Sequence, residues 1–170
     1  MRKYCIISLF LASVMLLYSC STGGGRATIF NDDGRIADIR LEQLLEILVS
    51  KDEDALKKMF SKQALKEAIN FDENMDYLFE LFQGNIVSWE RTSIAGGTKS
   101  ESGKKAVQVR SWYKVTTDKD EYLFLVVDYT QDTINPDNHG LYALEVVRTE
   151  DAEEQITGYW QDLKAGIFKP

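Results

Sequence analysis

The hydrophobic period of the chain changes once, at Gly84, and this change restricts the fold more than any other feature. Before Gly84 the apolar residues recur at helical spacing, and after it they alternate with polar residues as in half-buried strands. A chain in which helices precede strands favours an α+β domain, because the helices can then cover one face of an antiparallel sheet. We therefore predict a single α+β domain over residues 35–170, with N-terminal helices packed on a curved antiparallel sheet.

The helical part of the pattern predicts several short amphipathic segments. The first carries an apolar stripe that consists of Ile36, Ile39, Leu44, Leu45, Leu48 and Val49. A second short helix follows, capped by Asp52 or Asp54, and Ser61 begins a further turn or two. The last helix is predicted over residues 72–82, where Gly84 is well placed to end it.

Strands are predicted after Gly84, because each later segment is rich in β-branched and aromatic residues. They span residues 85–92, 104–116, 121–131 and 141–148. A Gly/Ser hairpin loop over 95–103 and turns at 117–120 and 134–140 connect them. The third strand is apolar on both faces, so its outer face needs covering. Beyond Glu150 the pattern is ambiguous, and we expect a short helix or loop followed by aromatic packing at Trp160.

The N-terminal segment predicts a bacterial lipoprotein signal peptide over residues 1–19. Arg2 and Lys3 precede an apolar stretch that is shorter than the roughly 20 residues of a spanning helix. The run Leu17-Tyr18-Ser19-Cys20 fits a lipobox, in which diacylglycerol alkylates the cysteine, although Tyr18 is bulkier than usual. Lipid on Cys20 would hold the protein on the extracytoplasmic face of the cell membrane. An uncleaved anchor or an ordinary secreted protein is the alternative.

The segment after the signal, residues 20–34, predicts a flexible tether that begins with a Gly-rich run. Cys5 leaves with the signal and Cys20 takes the lipid, so no thiol remains for a disulfide, a metal site or a nucleophile. The net charge is −7 and becomes more negative when Arg2 and Lys3 are removed. Nucleic acid is therefore a poor partner for this chain.

Four residues of the predicted strands are candidates for a pocket site, namely Asp128, Glu145, Arg110 and Trp112. Strand alternation is expected to place several of them on one sheet face. A desolvated carboxylate there could act as a general base, whereas an Arg–carboxylate pair on a solvated face would be structural. His139 is the only histidine, so one chain cannot assemble a His-based triad or a His-pair metal site. The sequence thus predicts no catalytic constellation and no cofactor.

Two further groups of residues allow a functional or a structural interpretation. Oxygen ligands of the kind that Ca²⁺ prefers occur at Asp132, Asn135, Asp137 and Asn138, but their spacing does not match a calcium loop, and turn bonding explains the same residues. Aromatic side chains either line an apolar pocket or fill the core, and they are Trp89, Trp112, Trp160 and Tyr122.

Three stretches of the chain carry a resemblance to a known family. They are Lys51-Asp52-Glu53-Asp54-Ala55-Leu56-Lys57-Lys58-Met59-Phe60-Ser61, Phe82-Gln83-Gly84-Asn85-Ile86-Val87-Ser88-Trp89 and Asn135-Pro136-Asp137-Asn138-His139-Gly140-Leu141. The chain resembles an uncharacterised family of Gram-positive lipoproteins, domain of unknown function 5104, grouped with nuclear-transport-factor-2-like (cystatin-like) folds. The resemblance implies a cone in which helices lie across the concave side of the sheet and can leave a pocket at its open end. It implies no functional residue.

The sequence favours a membrane-tethered, non-catalytic module that binds a small apolar or amphipathic ligand or a protein. The candidate pocket or interface residues are Trp89, Arg110, Trp112, Tyr122 and Asp128. Self-association as a homodimer is a variant, through a face formed by Trp112, Tyr122, Phe124 and Val126. The alternatives are a small enzyme that uses a carboxylate in the cone pocket, and an accessory or immunity protein for a secreted partner.

Overall fold

A computed structural model describes residues 24–152 and 164–168 of the chain, with side chains from residue 32 onward. The predictions for Cys20 and Trp160 lie outside these residues. The chain divides into two compact units between Asp32 and Asp33. The described part of the first unit is the start of one helix, and all contacts below belong to the second unit.

The described residues form four α-helices followed by five strands. The helices are α1 (Gly24–Ser50), α2 (Glu53–Met59), α3 (Lys62–Glu67) and α4 (Phe71–Leu81). The strands are β1 (Ile86–Glu101), β2 (Lys104–Thr117), β3 (Glu121–Asp132), β4 (Gly140–Arg148) and β5 (Gly166–Phe168). Two short 3₁₀ turns, Pro136–Asn138 and Thr149–Asp151, flank β4. The predicted α+β class is confirmed.

The strands lie in the sheet in chain order, with β1 and β5 at its two edges, so the sheet is open. Strands β1 to β4 pair antiparallel, as predicted. Strand β5 was not predicted, and it pairs parallel with β4 through Ala143 to Glu145. The sheet is therefore mixed rather than purely antiparallel.

The main core lies between the helices and one face of the sheet. In α1 the buried side chains are Ala37, Leu41, Leu44, Leu45 and Leu48. The predicted stripe is therefore wrong in part, since Ile36, Ile39 and Val49 are at least 36% exposed. Successive residues turn by about 100° around a helix, so the stripe centred on Leu41 and Leu48 leaves Ile39 on the opposite side.

Side-chain caps fix the two short helices where the sequence predicts them. Asp52 accepts a hydrogen bond from the Ala55 amide at 2.9 Å, and Ser61 accepts one from the Ala64 amide at 3.0 Å. These caps satisfy amides that have no partner within the helix. Asp52 is thus the cap of α2, which decides between the two predicted candidates.

Two segments differ from their predicted structure. Helix α1 begins at Gly24, so the last part of the predicted flexible tether is helical. Each residue that extends an existing helix adds one backbone hydrogen bond, and this gain does not depend on a periodic apolar pattern. Strand β1 continues through the predicted hairpin loop 95–103, because Gly96 and Gly97 pair with Val109 and Gln108. Glycine signals a loop locally, but pairing with the neighbouring strand overrides that preference.

The junction between the helices and the sheet depends on Gly84, which has a φ of +91°. A Cβ atom at this position would collide with the Asp118 carboxylate. That carboxylate accepts hydrogen bonds from the Asn85 amide at 2.7 Å and from the Asn85 side chain at 3.0 Å. These bonds lower the pKa of Asp118 and tie the start of β1 to the β2–β3 turn. Among the described helices, none is long and apolar enough to cross a membrane.

Candidate functional site

A cleft of about 490 Å³ opens beside α1 and is the candidate site. Helix α1 supplies Arg40, Gln43, Glu46 and Ile47, α2 supplies Ala55, Lys58 and Met59, and the remaining lining residues are Phe60, His139 and Gly140. Its volume falls in the range of about 300 to 1,000 Å³ that is usual for small-ligand sites. The cleft therefore has room for a small organic molecule.

The helical period explains how α1 contributes to both the core and the cleft. Arg40, Gln43 and Ile47 each come one position before a buried leucine, Leu41, Leu44 or Leu48. The three residues therefore form a second stripe beside the buried one. Burial of the leucine stripe against the sheet fixes the direction in which this second stripe points.

A close approach between the α2–α3 link and β4 forms another wall of the cleft. The Ser61 amide donates a hydrogen bond to the Leu141 carbonyl at 2.8 Å, and Phe60 forms a parallel bridge with Leu141. Gly140 has a φ of +119°, and a Cβ there would lie 3.2 Å from the Met59 carbonyl oxygen. Glycine at this position lets the two backbones meet.

The polar centre of the site is an ion pair between Arg40 and Asp128. Arg40 Nε lies 2.6 Å from Asp128 Oδ2, and the side chains are 21% and 5% exposed. The second carboxylate oxygen, Oδ1, is buried and has no hydrogen-bond partner among the residues that the structure describes. Within the described part of the chain, no hydrogen bond engages the two terminal nitrogens of Arg40. Arg40 is also one of the residues that line the cleft.

The rest of the lining divides into a charged rim and an apolar wall. Glu46, Lys58 and His139 are exposed and carry the polar groups, while Phe60 is 5% exposed and Ile47 and Met59 are half-buried. One acidic and one basic side chain on the rim balance each other at neutral pH. A molecule in this cleft would therefore meet both a hydrogen-bonding centre and an apolar surface.

Asp128 is the one predicted pocket residue that the structure places at the site. It lies on the helix-covered face of β3 next to a register shift after Val127. Strand bulges of this kind redirect side chains and are frequent beside functional sites. The predicted partner Arg110 pairs in register with Val127 and so lies on the other face of the sheet. Asp128 and Arg110 are thus not brought together.

Tyr122 and Trp89 are packing residues. Tyr122 is fully buried, and its hydroxyl donates to the Leu81 carbonyl at 3.0 Å and accepts from the Gln83 amide at 2.9 Å. Burial raises the pKa of Tyr122. Trp89 on β1 packs edge-on against Tyr113, with ring centroids 5.8 Å apart. These contacts support the core-filling alternative for both residues.

The predicted dimerisation face does not exist as one surface. Tyr122, Phe124 and Val126 are at most 1% exposed and belong to the core under the helices. Trp112 pairs in register with Leu125 and lies on the opposite face. A strand buries alternate residues on alternate faces, so residues of β2 and β3 share a face only where the register aligns them. The grouping of Trp112 with these three residues is wrong.

Glu145 also lies on the face away from the helices, in register with Leu125 and Phe168. Burial raises the pKa of its carboxyl group. Because Asp128 lies on the other face, the two carboxylates cannot act on one molecule as an acid–base pair. Three residues of that second face, Val127, Ala143 and Val147, are at most 2% exposed.

The acidic loop after β3 is organised by its own hydrogen bonds. Asp132 Oδ1 accepts from the amides of Ile134 at 2.8 Å and Asn135 at 2.7 Å, and Oδ2 accepts from the Asn138 side chain at 3.0 Å. Although burial opposes the charge, these bonds lower the pKa of Asp132. The turn interpretation thus accounts for these residues. In the described ranges, no group of three or more His, Cys, Asp or Glu side chains could hold a metal ion.

Sequence reasoning missed Arg40, which is the central residue of the cleft. Its signal in the sequence is weak, because Arg40 stands between Ile39 and Leu41 on a helix with many charged residues. The contact with Asp128 spans 88 positions, so no local pattern could reveal it. Of the residues that the sequence singled out, Asp128 and His139 lie at the site.

Comparison with known proteins gives one family match. Residues 43–149 match the model of a family described as "Domain of unknown function (DUF5104)". No curated protein matches the chain. The matched segment contains every lining residue of the cleft except Arg40, and it also contains Asp128.

Proposed function

Because the chain belongs to the DUF5104 family, which has no assigned activity, we propose a function from the cleft itself: a non-catalytic module that binds a small ligand. The observation that carries this proposal is the hydrogen bonding of the Arg40 guanidinium group. Asp128 holds its Nε, no hydrogen bond to a described residue engages its two terminal nitrogens, and Arg40 lines a cleft that also has an apolar wall. Such a combination of few fixed polar groups and apolar surface is typical of ligand sites.

The surroundings of Asp128 favour binding over catalysis. Oδ2 is engaged by Arg40 Nε, and Oδ1 is buried, so a molecule in the cleft reaches neither oxygen unless Arg40 moves. A general base must lie within hydrogen-bond reach of the proton that it removes. The other titratable groups, Glu46, Lys58 and His139, are exposed on the rim. The arrangement therefore supports a site that holds its ligand unchanged.

A nuclear-transport-factor-2-like fold is the finer structural part of the proposal. The order of helices before a meandering sheet, with helices on one face, supports it. The space between helices and sheet is filled by large side chains such as Tyr113 and Phe124, which are at most 1% exposed. In this proposal the ligand lies beside α1 rather than under the helices.

We also propose that the protein is a bacterial lipoprotein, tethered through Cys20 to the extracytoplasmic face of the cell membrane. The basic, apolar and lipobox segments of the sequence support this location. Metabolic labelling with a radioactive fatty acid tests it: label should enter the wild-type chain and the Cys5→Ala control, and Cys20→Ala should remain unlabelled. Equal labelling of Cys20→Ala would overturn the anchor.

Binding is tested with the full chain in phosphatidylcholine nanodiscs, by a thermal-shift screen of small organic molecules. Ala55→Trp fills the cleft, and Ala95→Trp adds the same bulk on β1, away from the cleft. Molecules that raise the melting temperature of the wild type should bind Ala95→Trp equally and Ala55→Trp at least about tenfold more weakly. If no molecule stabilises the wild type, or if Ala55→Trp binds as well as Ala95→Trp, the proposal is wrong.

A further inference from the structure

We propose that the ligand of the cleft is a small monocarboxylate with an apolar tail, whose carboxylate accepts hydrogen bonds from the terminal nitrogens of Arg40. This inference rests on the proposed function, since it names the chemistry of the ligand that the cleft holds.

The Arg40 guanidinium is held in place before any ligand arrives. The group is planar, so the 2.6 Å contact between Nε and Asp128 Oδ2 restrains the orientation of its whole plane. Nε carries one N–H, and the other four belong to the terminal nitrogens. Two parallel N–H bonds from these nitrogens match the two oxygens of a carboxylate. A donor pair that is already oriented loses little entropy on binding.

The charge balance selects a singly charged head group. Asp128 already compensates Arg40, and Glu46 on the rim opposes Lys58. A dianion such as a phosphate monoester would bring an excess of negative charge into a cleft that is close to neutral, on a chain whose net charge is −7. A monocarboxylate brings one charge to a strong double donor. A cation would find no free acceptor at Arg40.

The apolar part of the lining fits the tail. Ile47, Met59 and Phe60 contribute hydrophobic surface, and the small side chain of Ala55 also lines the cleft. Burial of apolar surface contributes binding energy roughly in proportion to the area removed from water. The ligand therefore needs a carboxylate that binds Arg40 and an apolar tail that packs on this wall. A fatty acid has both groups, and so does an apolar peptide that ends in a free carboxylate.

Binding of four six-carbon probes to the full chain in phosphatidylcholine nanodiscs tests the inference, with empty nanodiscs as the reference for partitioning. The probes are hexanoate, hexanol, hexylamine and hexyl phosphate, which share a tail and differ in the head. Hexanoate should bind at least about tenfold more tightly than each of the others. N-acetyl-Leu-Leu and its amide form the second arm, and comparison of the peptide acid with hexanoate decides between the two sources of the carboxylate.

Arg40→Lys is the decisive variant, because lysine keeps the charge beside Asp128 but lacks the planar double donor. The preference for hexanoate over hexanol should fall to less than about threefold in this variant. Arg35→Lys is the matched control, since Arg35 is exposed on the same helix and does not line the cleft. This control should keep the full preference.

A second variant keeps the inference testable if Arg40→Lys fails to fold. Arg40→Met with Asp128→Leu removes both charges, so no buried charge is left without a partner. It should bind hexanol as the wild type does and show no preference for hexanoate. If either Arg40 variant keeps the preference, or if the wild type binds all four heads equally, the inference fails while the proposed function stands. If no probe binds but the thermal-shift screen finds a molecule that Ala55→Trp binds more weakly, the inference fails and the proposed function stands; if neither experiment finds a ligand, both fail.

Discussion

Asp38 and Arg40 are two positions apart on α1, yet each forms an ion pair with a different strand. Asp38 Oδ1 lies 2.6 Å from Arg91 Nη1 of β1 and also accepts a hydrogen bond from the Tyr113 hydroxyl at 3.2 Å. Arg40 reaches Asp128 of β3 at 2.6 Å. Helix α1 supplies the acidic residue of one pair and the basic residue of the other. A rotation of α1 that exchanged the two partners would therefore bring like charges together. They fix the rotation that presents Arg40 to the cleft.

Removal of Asp128 should be costly. Asp128→Ala leaves the Arg40 guanidinium without its partner in a mostly buried place, and we expect a loss of about 3 kcal/mol in the free energy of unfolding. Arg40 keeps some access to water, which places the loss at the lower end of the range for broken buried pairs. Urea unfolding measures it.

The control for this prediction is the exposed pair of Lys57 and Asp72, whose atoms are 2.7 Å apart. Lys57→Met should leave the free energy of unfolding unchanged within error, because exposed pairs contribute little. Arg40→Met with Asp128→Leu should unfold within about 1 kcal/mol of the wild type. An equally large loss in this double variant would show that the pair stabilises the fold by its charges.

Two tyrosines should make the fold sensitive to strongly alkaline pH. Burial raises the pKa of Tyr113 and of Tyr142 to about 12, and nearby Asp38 and Glu67 act in the same direction. The unfolded pKa is about 10. The folded state therefore binds these protons more tightly, so their contribution to stability is complete below about pH 10 and is lost as the pH rises through about 12.

The test of this pH dependence compares the wild type with Tyr113→Phe combined with Tyr142→Phe. The difference in melting temperature between the two should be constant from pH 7 to 9 and should decrease towards pH 12. A difference that stays constant to pH 12 contradicts the raised pKa values. At neutral pH, Tyr113→Phe alone should cost about 1 kcal/mol, because the hydrogen bond to Asp38 is lost.

Gly84→Ala should destabilise the fold by about 1 to 3 kcal/mol. The residue has a φ of +91°, which strains any other residue, and the new methyl group would displace the Asp118 carboxylate from Asn85. Gly97→Ala is the matched control, because no atom lies within 4 Å of its added Cβ. Thermal unfolding compares the two, and equal melting temperatures would contradict the prediction.

Glu145→Gln should stabilise the protein at neutral pH. Burial raises the pKa of this carboxyl group, so the folded state favours the protonated form and loses stability as the pH rises above the unfolded pKa of about 4.3. The gain should therefore be present at pH 7 and vanish below about pH 4. Exposed Glu90 supplies the control: Glu90→Gln should shift the melting temperature at neither pH. An equal gain in both variants would contradict the role of burial.

The extent to which the sequence predicts this fold depends on the range of the interactions involved. Local signals placed β2, β3, β4 and the caps at Asp52 and Ser61 within a residue or two, because alternation and capping act between near neighbours. The short strand β5 has no such signal, since its three residues are defined by pairing with β4. Strand β1 exceeds its predicted length for the same reason.

The candidate site was predictable only in part. Alternation within β3 is sufficient to place Asp128 on the same face as Tyr122, Phe124 and Val126, which is where the structure has it. It could not show that Arg110 and Trp112 lie on the other face, because alternation within a strand does not give the register between strands. The role of Arg40 required a contact across 88 positions, which depends on the completed topology.

The hydrogen bond between the Ser61 amide and the Leu141 carbonyl has a kinetic consequence. It joins the α2–α3 link to β4, so this wall of the cleft is built from segments that are distant along the chain. Closing such long loops is slow relative to local helix formation. Early folding species that contain only the helices would lack the cleft. During refolding, the ability to bind a ligand in the cleft should therefore appear at the same rate as the native fold.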